Sequence, residues 1–373
     1  MEFTKRPTYA TVNIDHLRHN AKEVLNRLPS GVEPIAIVKA NAYGHGSIFV
    51  ARALEGMGYK RFGVATFTEG LELRAQGIRG EIHVLNGILG PIEEYLSNRL
   101  YPTVFEIDQL KNLSTFLNQE NREFAADLKF DTGMGRLGFS PTQIDDIVKI
   151  LKGTPLLKLI SVMTHLAKAD EEDEEFTARQ YTLFGKLRDI LADRGVKTKF
   201  CIGNSAAIID NRLGGFDYVR PGIMLYGCYP NPRHAKMIEL KPVMGLKSRI
   251  ISLKKMPKFA SIGYGATFVT QRESQIAILP VGYADGYPRL ASNRGHTLVR
   301  GEKAPIVGRI SMDLMAIDVT DIPQASLYDE VTVIGSDGKH AVRAEDVAQW
   351  AETISYEILC GISTRVPRVY EGL

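Results

Sequence analysis

From Pro34 to Gly222, short apolar runs rich in β-branched residues alternate with amphipathic stretches, and no other feature constrains the fold as tightly. The candidate strands are "PIAIVKA" (34–40), "RFGVAT" (61–66), "EIHVLN" (81–86), "YPTVF" (101–105), "FAADLKF" (124–130), "LISVMTH" (159–165), "KFCIGN" (199–204) and "DYVRPG" (217–222). Between them lie helical patterns such as "GSIFVARALEGMG", "IDQLKNLSTFLNQ" and "FTARQYTLFGKLRDILADRG". Strands apolar on both faces, separated by helices, indicate parallel βαβ units, and eight of them fit a (β/α)8 barrel. A doubly wound sheet is the alternative, but no GxGxxG follows the first strand.

After about residue 230 the texture changes. "PNPRH" reads as a linker, and the runs beyond it, punctuated by Gly, Pro and Asp, suit an antiparallel β domain with one late helix, "RAEDVAQWAE". The expected division is a barrel over residues 12–232 and a β-rich domain over 233–373, with residues 1–11 pairing with the latter.

In a (β/α)8 barrel, chemistry sits where strands end. Those ends carry Lys39, Lys129 with Asp131 and Arg136, His165, Asn204 with Ser205, and Arg220 with Gly222. One such residue alone is ordinarily a solvated loop group; polar groups at five strand ends form a convergent polar mouth. A lysine in a desolvated pocket loses preference for its charged form and becomes a nucleophile or base, the chemistry of Schiff-base lysines including those that hold pyridoxal phosphate. A snorkelling lysine is the bland counterpart. The acidic run 169–175 reads as a solvated helix start.

The totals exclude several classes. A net charge of +3 spread along the chain gives no case for nucleic acid. No apolar run reaches the roughly 20 residues of a membrane span, and "MEFTKRPTYATVNID" lacks a signal peptide's apolar core. Three scattered cysteines suggest neither disulfides nor a metal site, and fit a reducing cytoplasm.

Taken together, "AIVKANAYGHG", "FDTGMGRLGF", "THLAKADEED", "GNSAA", "VRPGIMLYG", "SIGYGATF", "VGYADGYPR", "GRISMDLMAIDVT" and "SYEILCGISTRVPRVY" resemble bacterial alanine racemase, in the family's order across both expected domains. The resemblance implies pyridoxal 5'-phosphate carried on Lys39, which serves as acid/base on one face of the substrate. Tyr264, from the partner subunit of a head-to-tail homodimer, then serves on the other. It implies Arg220 facing the pyridine nitrogen and His165 linking Tyr264 to Arg220. Phosphate contacts fall on Tyr43, Asn204, Ser205, Gly222, Ile223 and Tyr356. Arg136, Met312, Asp313 and Tyr283 are implied at the substrate, Lys129 as a candidate carbamylated lysine, and Arg289, Arg309, Asp170 and Ile354 along an entry corridor. The implied product role is D-alanine for cell-wall peptidoglycan. The alternatives are a serine or broader-specificity racemase and a decarboxylase on the same barrel, whose glycine-rich phosphate motif is missing. Gly361, Thr364 and Ser355 depart from the family's usual residues.

Overall fold

A computed structural model describes residues 6–373. Strand β1 (Tyr9–Asn13) runs directly into helix α1 (Ile14–Arg27), capped by the Asn13 side chain, which accepts from the His16 amide at 2.8 Å. Eight parallel strands follow: β2 (Glu33–Ile37), β3 (Arg61–Val64), β4 (Glu81–Val84), β5 (Leu100–Val104), β6 (Phe124–Lys129), β7 (Leu157–Met163), β8 (Lys199–Asn204) and β9 (Tyr218–Arg220). They close into a barrel when β2 pairs with β9. The strand–helix alternation is thus a closed barrel rather than an open sheet. The acidic run starts a helix as expected, with Asp173 capping Glu174–Asp193.

Two local expectations fail. The strand expected to end on Lys39 stops at Ile37, because Val38 already leaves extended geometry and residues 40–43 turn with reversed hand. "PNPRH" is more than a linker. Pro232–Lys236 is a short 3-10 helix that buries His234, with Nε2 3.2 Å from Asp210.

The second domain is mainly antiparallel. Its larger sheet orders Glu302–Pro305, His296–Val299, Glu330–Asp337, Met244–Arg249, β1 and Arg368–Glu371, with His340–Val342 joined to Glu330–Asp337. β1 lies antiparallel to Met244–Arg249 and parallel to Arg368–Glu371. A second sheet orders Ser252–Met256, Ser274–Leu279 and Met315–Asp318. Two late helices occur where one was expected: Ala344–Trp350, and Ser355–Gly361 in the "SYEIL" segment.

The lower half of the barrel is filled by a charged network. Arg61 bridges Glu33 and Glu81 and lies over the Tyr218 ring at 4.7 Å. Across the interior, His83 on β4 meets Asp127 on β6 at 2.6 Å, and Ser161 on β7 donates to the other oxygen of Asp127 at 2.6 Å. All three are fully buried. Burial disfavours the charged imidazole, but Asp127 and Glu81 outweigh it and raise the His83 pKa from 6.5 to about 9. A raised folded-state pKa stabilises fully below the unfolded value of 6.5, and this stabilisation is lost as pH climbs through 9. The melting temperature should therefore fall between pH 6.5 and 9, and the fall should be much shallower in His83→Gln. Scanning calorimetry across that range measures both.

Candidate active site

Lys39 opens a five-residue turn whose handedness is inverted. Ala40, Asn41, Ala42 and Tyr43 have φ between 52° and 53°, and Gly44 continues the turn at 82°. Each non-glycine residue in this conformation costs about 1–2 kcal/mol, so the turn needs bracing. Glu69 accepts from the Ala40 amide at 2.7 Å, and the Asn41 side chain accepts from the Ser47 amide at 2.9 Å. Arg368 of the second domain donates to the Gly44 carbonyl at 3.0 Å and also to the carbonyls of Ile362, Ser363 and Val366. A Cβ at Gly44 would lie 2.4 Å from the Leu359 carbonyl, so that close approach requires glycine. The turn places half-buried Lys39 at the mouth, where its pKa is lowered, first by burial and then by Arg136.

The other barrel residues gather around it. Lys129 ends β6, and its pKa falls to about 8, mostly through burial and then through Arg220 and Arg136. Among the described residues it forms no ion pair. Asp131 accepts from the amides of Gly133, Met134 and Gly135, each at 2.8 Å, and shapes the loop that carries exposed Arg136. Arg220 is buried, and its guanidinium donates to the carbonyls of Thr164, Cys201 and Ile202 and to the Cys201 sulfur at 2.8 Å. It also reaches His165 Nδ1 at 3.2 Å. Arg220 only donates, so Nδ1 carries the lone pair and Nε2 the proton. Burial, then Arg220, holds His165 well below its usual pKa, so the ring is neutral.

Asn204 caps the helix Ser205–Ile209 by accepting from the Ala207 amide at 3.1 Å, and Ser205 Oγ accepts from the amides of Gly222 and Met224 at 3.0 and 3.4 Å. Tyr43 packs on Tyr226 (4.8 Å between ring centres) and on Tyr356 (5.9 Å). Its hydroxyl lies where a Cβ on Gly222 would come within 2.8 Å. Ile223 follows Gly222 at the start of the 3-10 helix Ile223–Tyr226.

Tyr264, Tyr283, Met312 and Asp313 are exposed on the second domain. Tyr264 sits between the short strands Ser261–Ile262 and Phe268–Val269 and is 72% accessible. Arg365 bridges Asp313 (2.7 Å) to buried Asp285 (2.9 Å) and so fixes the loops bearing Met312 and Tyr283. Arg289, Arg309 and Ile354 are exposed, and Asp170 is half-buried with its carbonyl accepting from Asn231. Of the departures, Ser355 is buried, and Gly361 presses its carbonyl toward Gly286.

Sequence reasoning did not single out Glu69, Cys201, Arg365 or Arg368. "TFTEG" carries a capping-box pattern that marks Glu69 as a local cap, and the structure has that box. The other three bind groups remote in sequence and leave no local signal.

A parallel barrel with a mouth of cations around a deprotonation-prone lysine, and a second β domain bracing that lysine, is the architecture of a barrel-type pyridoxal phosphate enzyme. Residues 12–230 match the alanine racemase N-terminal domain and residues 243–370 the C-terminal domain. The chain is 45% identical to the alanine racemase of Halothermothrix orenii, covering 98% of this chain and 97% of that one. It is 42% identical to that of Syntrophobacter fumaroxidans, covering 95% of each. The structure of the Streptomyces lavendulae enzyme superposes with a TM-score of 0.93 at 34% identity, covering 100% of this chain and 98% of that one. That of the Bartonella henselae enzyme, described with covalently bound pyridoxal phosphate, gives 0.89 at 30% identity, covering 98% and 99%. The chain belongs to the alanine racemase family, pyridoxal-phosphate-dependent isomerases.

The residues present fit that cofactor. Lys39 offers an amine biased toward its neutral form, the surrounding cations suit an anionic ligand, and Gly222 leaves the Tyr43 hydroxyl its place. Gly222→Ala should displace that hydroxyl and weaken cofactor binding roughly 10-fold or more with little change in melting temperature. Equilibrium dialysis with pyridoxal phosphate, paired with a thermal melt, tests this.

Proposed function

We propose that this alanine racemase works by a two-base mechanism in a head-to-tail homodimer, with Lys39 on one face of the substrate Cα and Tyr264 of the partner subunit on the other. The observation that carries the reading is that Lys39 is half-buried in the barrel mouth while Tyr264, on the second domain, stands 72% exposed. Met312 (52%), Leu290 (61%) and Ile354 (62%) are also exposed on that domain, as a surface awaiting a second copy would be. The division into residues 12–232 and 233–373 is supported by the two family segments, and the placing of residues 1–11 on the second domain by β1's pairing, residues 1–5 lying outside the described residues.

Pyridoxal phosphate, when bound, supplies an electron-withdrawing ring that acidifies the substrate Cα–H. Tyr43, Asn204, Ser205, Gly222, Ile223 and Tyr356 would hold its phosphate. Lys39, disfavoured as a cation by burial and Arg136, takes or returns the Cα proton on its own face. Arg220 has no carboxylate partner among the described residues, so its charge is undiminished; facing the ring nitrogen, as the family resemblance implies, it would disfavour a second positive charge there and favour return of the proton to Cα. Neutral His165, bound to Arg220 through Nδ1, has Nε2–H free to donate to the phenol of Tyr264 of the partner subunit. Arg136 orients the substrate carboxylate as a two-pronged donor, while Met312, Asp313 and Tyr283 shape the far side of the site.

Lys129 is a cation among cations whose pKa has fallen to about 8. Attack of its neutral amine on carbon dioxide, with loss of one proton, forms a carbamate. The site then gains an anion that can pair with Arg136. Native mass spectrometry in bicarbonate buffer should show one added carbon dioxide, absent from Lys129→Arg.

Function in a cytoplasmic compartment, with D-alanine supplied to peptidoglycan, fits the family and three cysteines without disulfides. No helix among the described residues is long and apolar enough to cross a membrane. Chiral chromatography after incubation with L-alanine, L-serine or L-lysine tests the reading. D-alanine should approach parity with L-alanine and the other two should lag far behind; a faster reaction with serine, or no D-alanine, contradicts it. Tyr264→Phe should slow racemisation roughly 10²–10⁴-fold yet leave solvent-deuterium exchange for one enantiomer. Mixed dimers of Lys39→Ala and Tyr264→Phe should regain activity, since one of their two sites is intact.

A further inference from the structure

His45 is buried, titratable and unused by the mechanism above. Its ring packs against Tyr226 with 4.6 Å between centres, and Tyr226 donates its hydroxyl to the carbonyl of Ile37 at the end of β2. His45 Nδ1 lies 2.9 Å from the carbonyl oxygens of both Ala42 and Tyr43, while Nε2 has no partner. Carbonyls only accept, so Nδ1 bears the proton and Nε2 is a bare buried nitrogen. Leaving a polar atom unpaired is unfavourable, so the imidazole is retained here for the Nδ1 side.

We propose that His45 is the positioning residue that locks the left-handed turn after Lys39, its Nδ1–H bridging two consecutive carbonyls that a right-handed turn would point elsewhere. This rests on the reading that Lys39 carries the cofactor. The turn's own amides, Ala42 to Val38, Gly44 to Ala40 and Gly46 to Asn41, close its inner bonds at 2.9–3.0 Å. The Ala42 carbonyl also accepts from the His45 amide at 3.1 Å, while the Tyr43 carbonyl is left to the imidazole, so the side chain ties the second carbonyl to the first. The ring is well suited, because burial first, and Arg368 in addition, hold its pKa near 4. It therefore stays a neutral single donor at physiological pH.

Asparagine and glutamine separate this role from bulk. The amide nitrogen of His45→Asn falls where Nδ1 sits, whereas that of His45→Gln reaches toward Nε2. Fluorescence titration of the apoprotein with pyridoxal phosphate should find His45→Asn within about threefold of wild type. His45→Gln should be weakened roughly 10–100-fold, as expected for one lost buried hydrogen bond, with kcat falling more than KM rises. In the cofactor-free protein, hydrogen exchange at the amides of Ala42, Gly44 and Gly46 should quicken in His45→Gln and not in His45→Asn. Equal affinity and exchange in both variants and wild type would overturn the proposal, as would an asparagine variant as impaired as the glutamine one. If wild type itself takes up no cofactor, the assignment of Lys39 fails, and the exchange experiment still decides the role of His45.

Discussion

The inverted turn from Ala40 to Gly44 is the constraint on which the site depends. At about 1–2 kcal/mol for each non-glycine residue in the left-handed region, four in sequence would relax unless surrounding structure over-determined them. The bracing comes from separate parts of the chain: Glu69 from the next βα unit, the Asn41 side chain within the turn, Tyr226 through His45, and Arg368 from the last strand. The C-terminal domain thus does more than cover the barrel. Its Arg368 and the Leu359 backbone fix where the Lys39 loop can go, so barrel and β domain form one catalytic unit before any second subunit is considered.

Charge is distributed to the same end. Below the mouth, cations are paired with anions: Arg61 has Glu33 and Glu81, and His83 has Asp127. Around the mouth, burial together with Arg136 and Arg220 lowers the pKa values of Lys39, Lys129 and His165, and the nearby carboxylates are spent on backbone amides, Glu69 on Ala40, Ala65 and Thr66 and Asp131 on its loop. Such a surplus of positive charge in a partly desolvated pocket is unfavourable alone and favourable once an anion enters. Burial first, and the neighbouring cations after it, lower the pKa values of Lys39 and Lys129, the direction that a Schiff-base lysine and a carbamate-forming lysine would need.

The barrel was legible in the sequence because its strands are apolar on both faces and its helices periodic, a pattern that survives without tertiary information. The site was legible as a list of strand-end residues, since barrel geometry alone brings Lys39, Lys129, His165, Asn204 and Arg220 to one rim. Conformation was not. Ala40 and Ala42 are strong right-handed helix formers, and nothing local announces that tertiary contacts reverse them. Partners remote in sequence were also hidden, as with Arg368 on the Gly44 carbonyl or the Cys201 sulfur under Arg220. Asp131, close to Lys129 in sequence, is taken up by three loop amides, a use that only the folded loop discloses. Tyr264 was found only through family resemblance, because an exposed tyrosine between glycines has no chemical signature of its own.

The most direct test is to load the native protein with pyridoxal phosphate, reduce it with borohydride and map the labelled peptide. Label confined to Lys39, and lost from that position when the turn is unlocked, is the outcome expected of an amine presented by the inverted turn. Label on Lys129 or another lysine, or none at all in a folded protein, would contradict it.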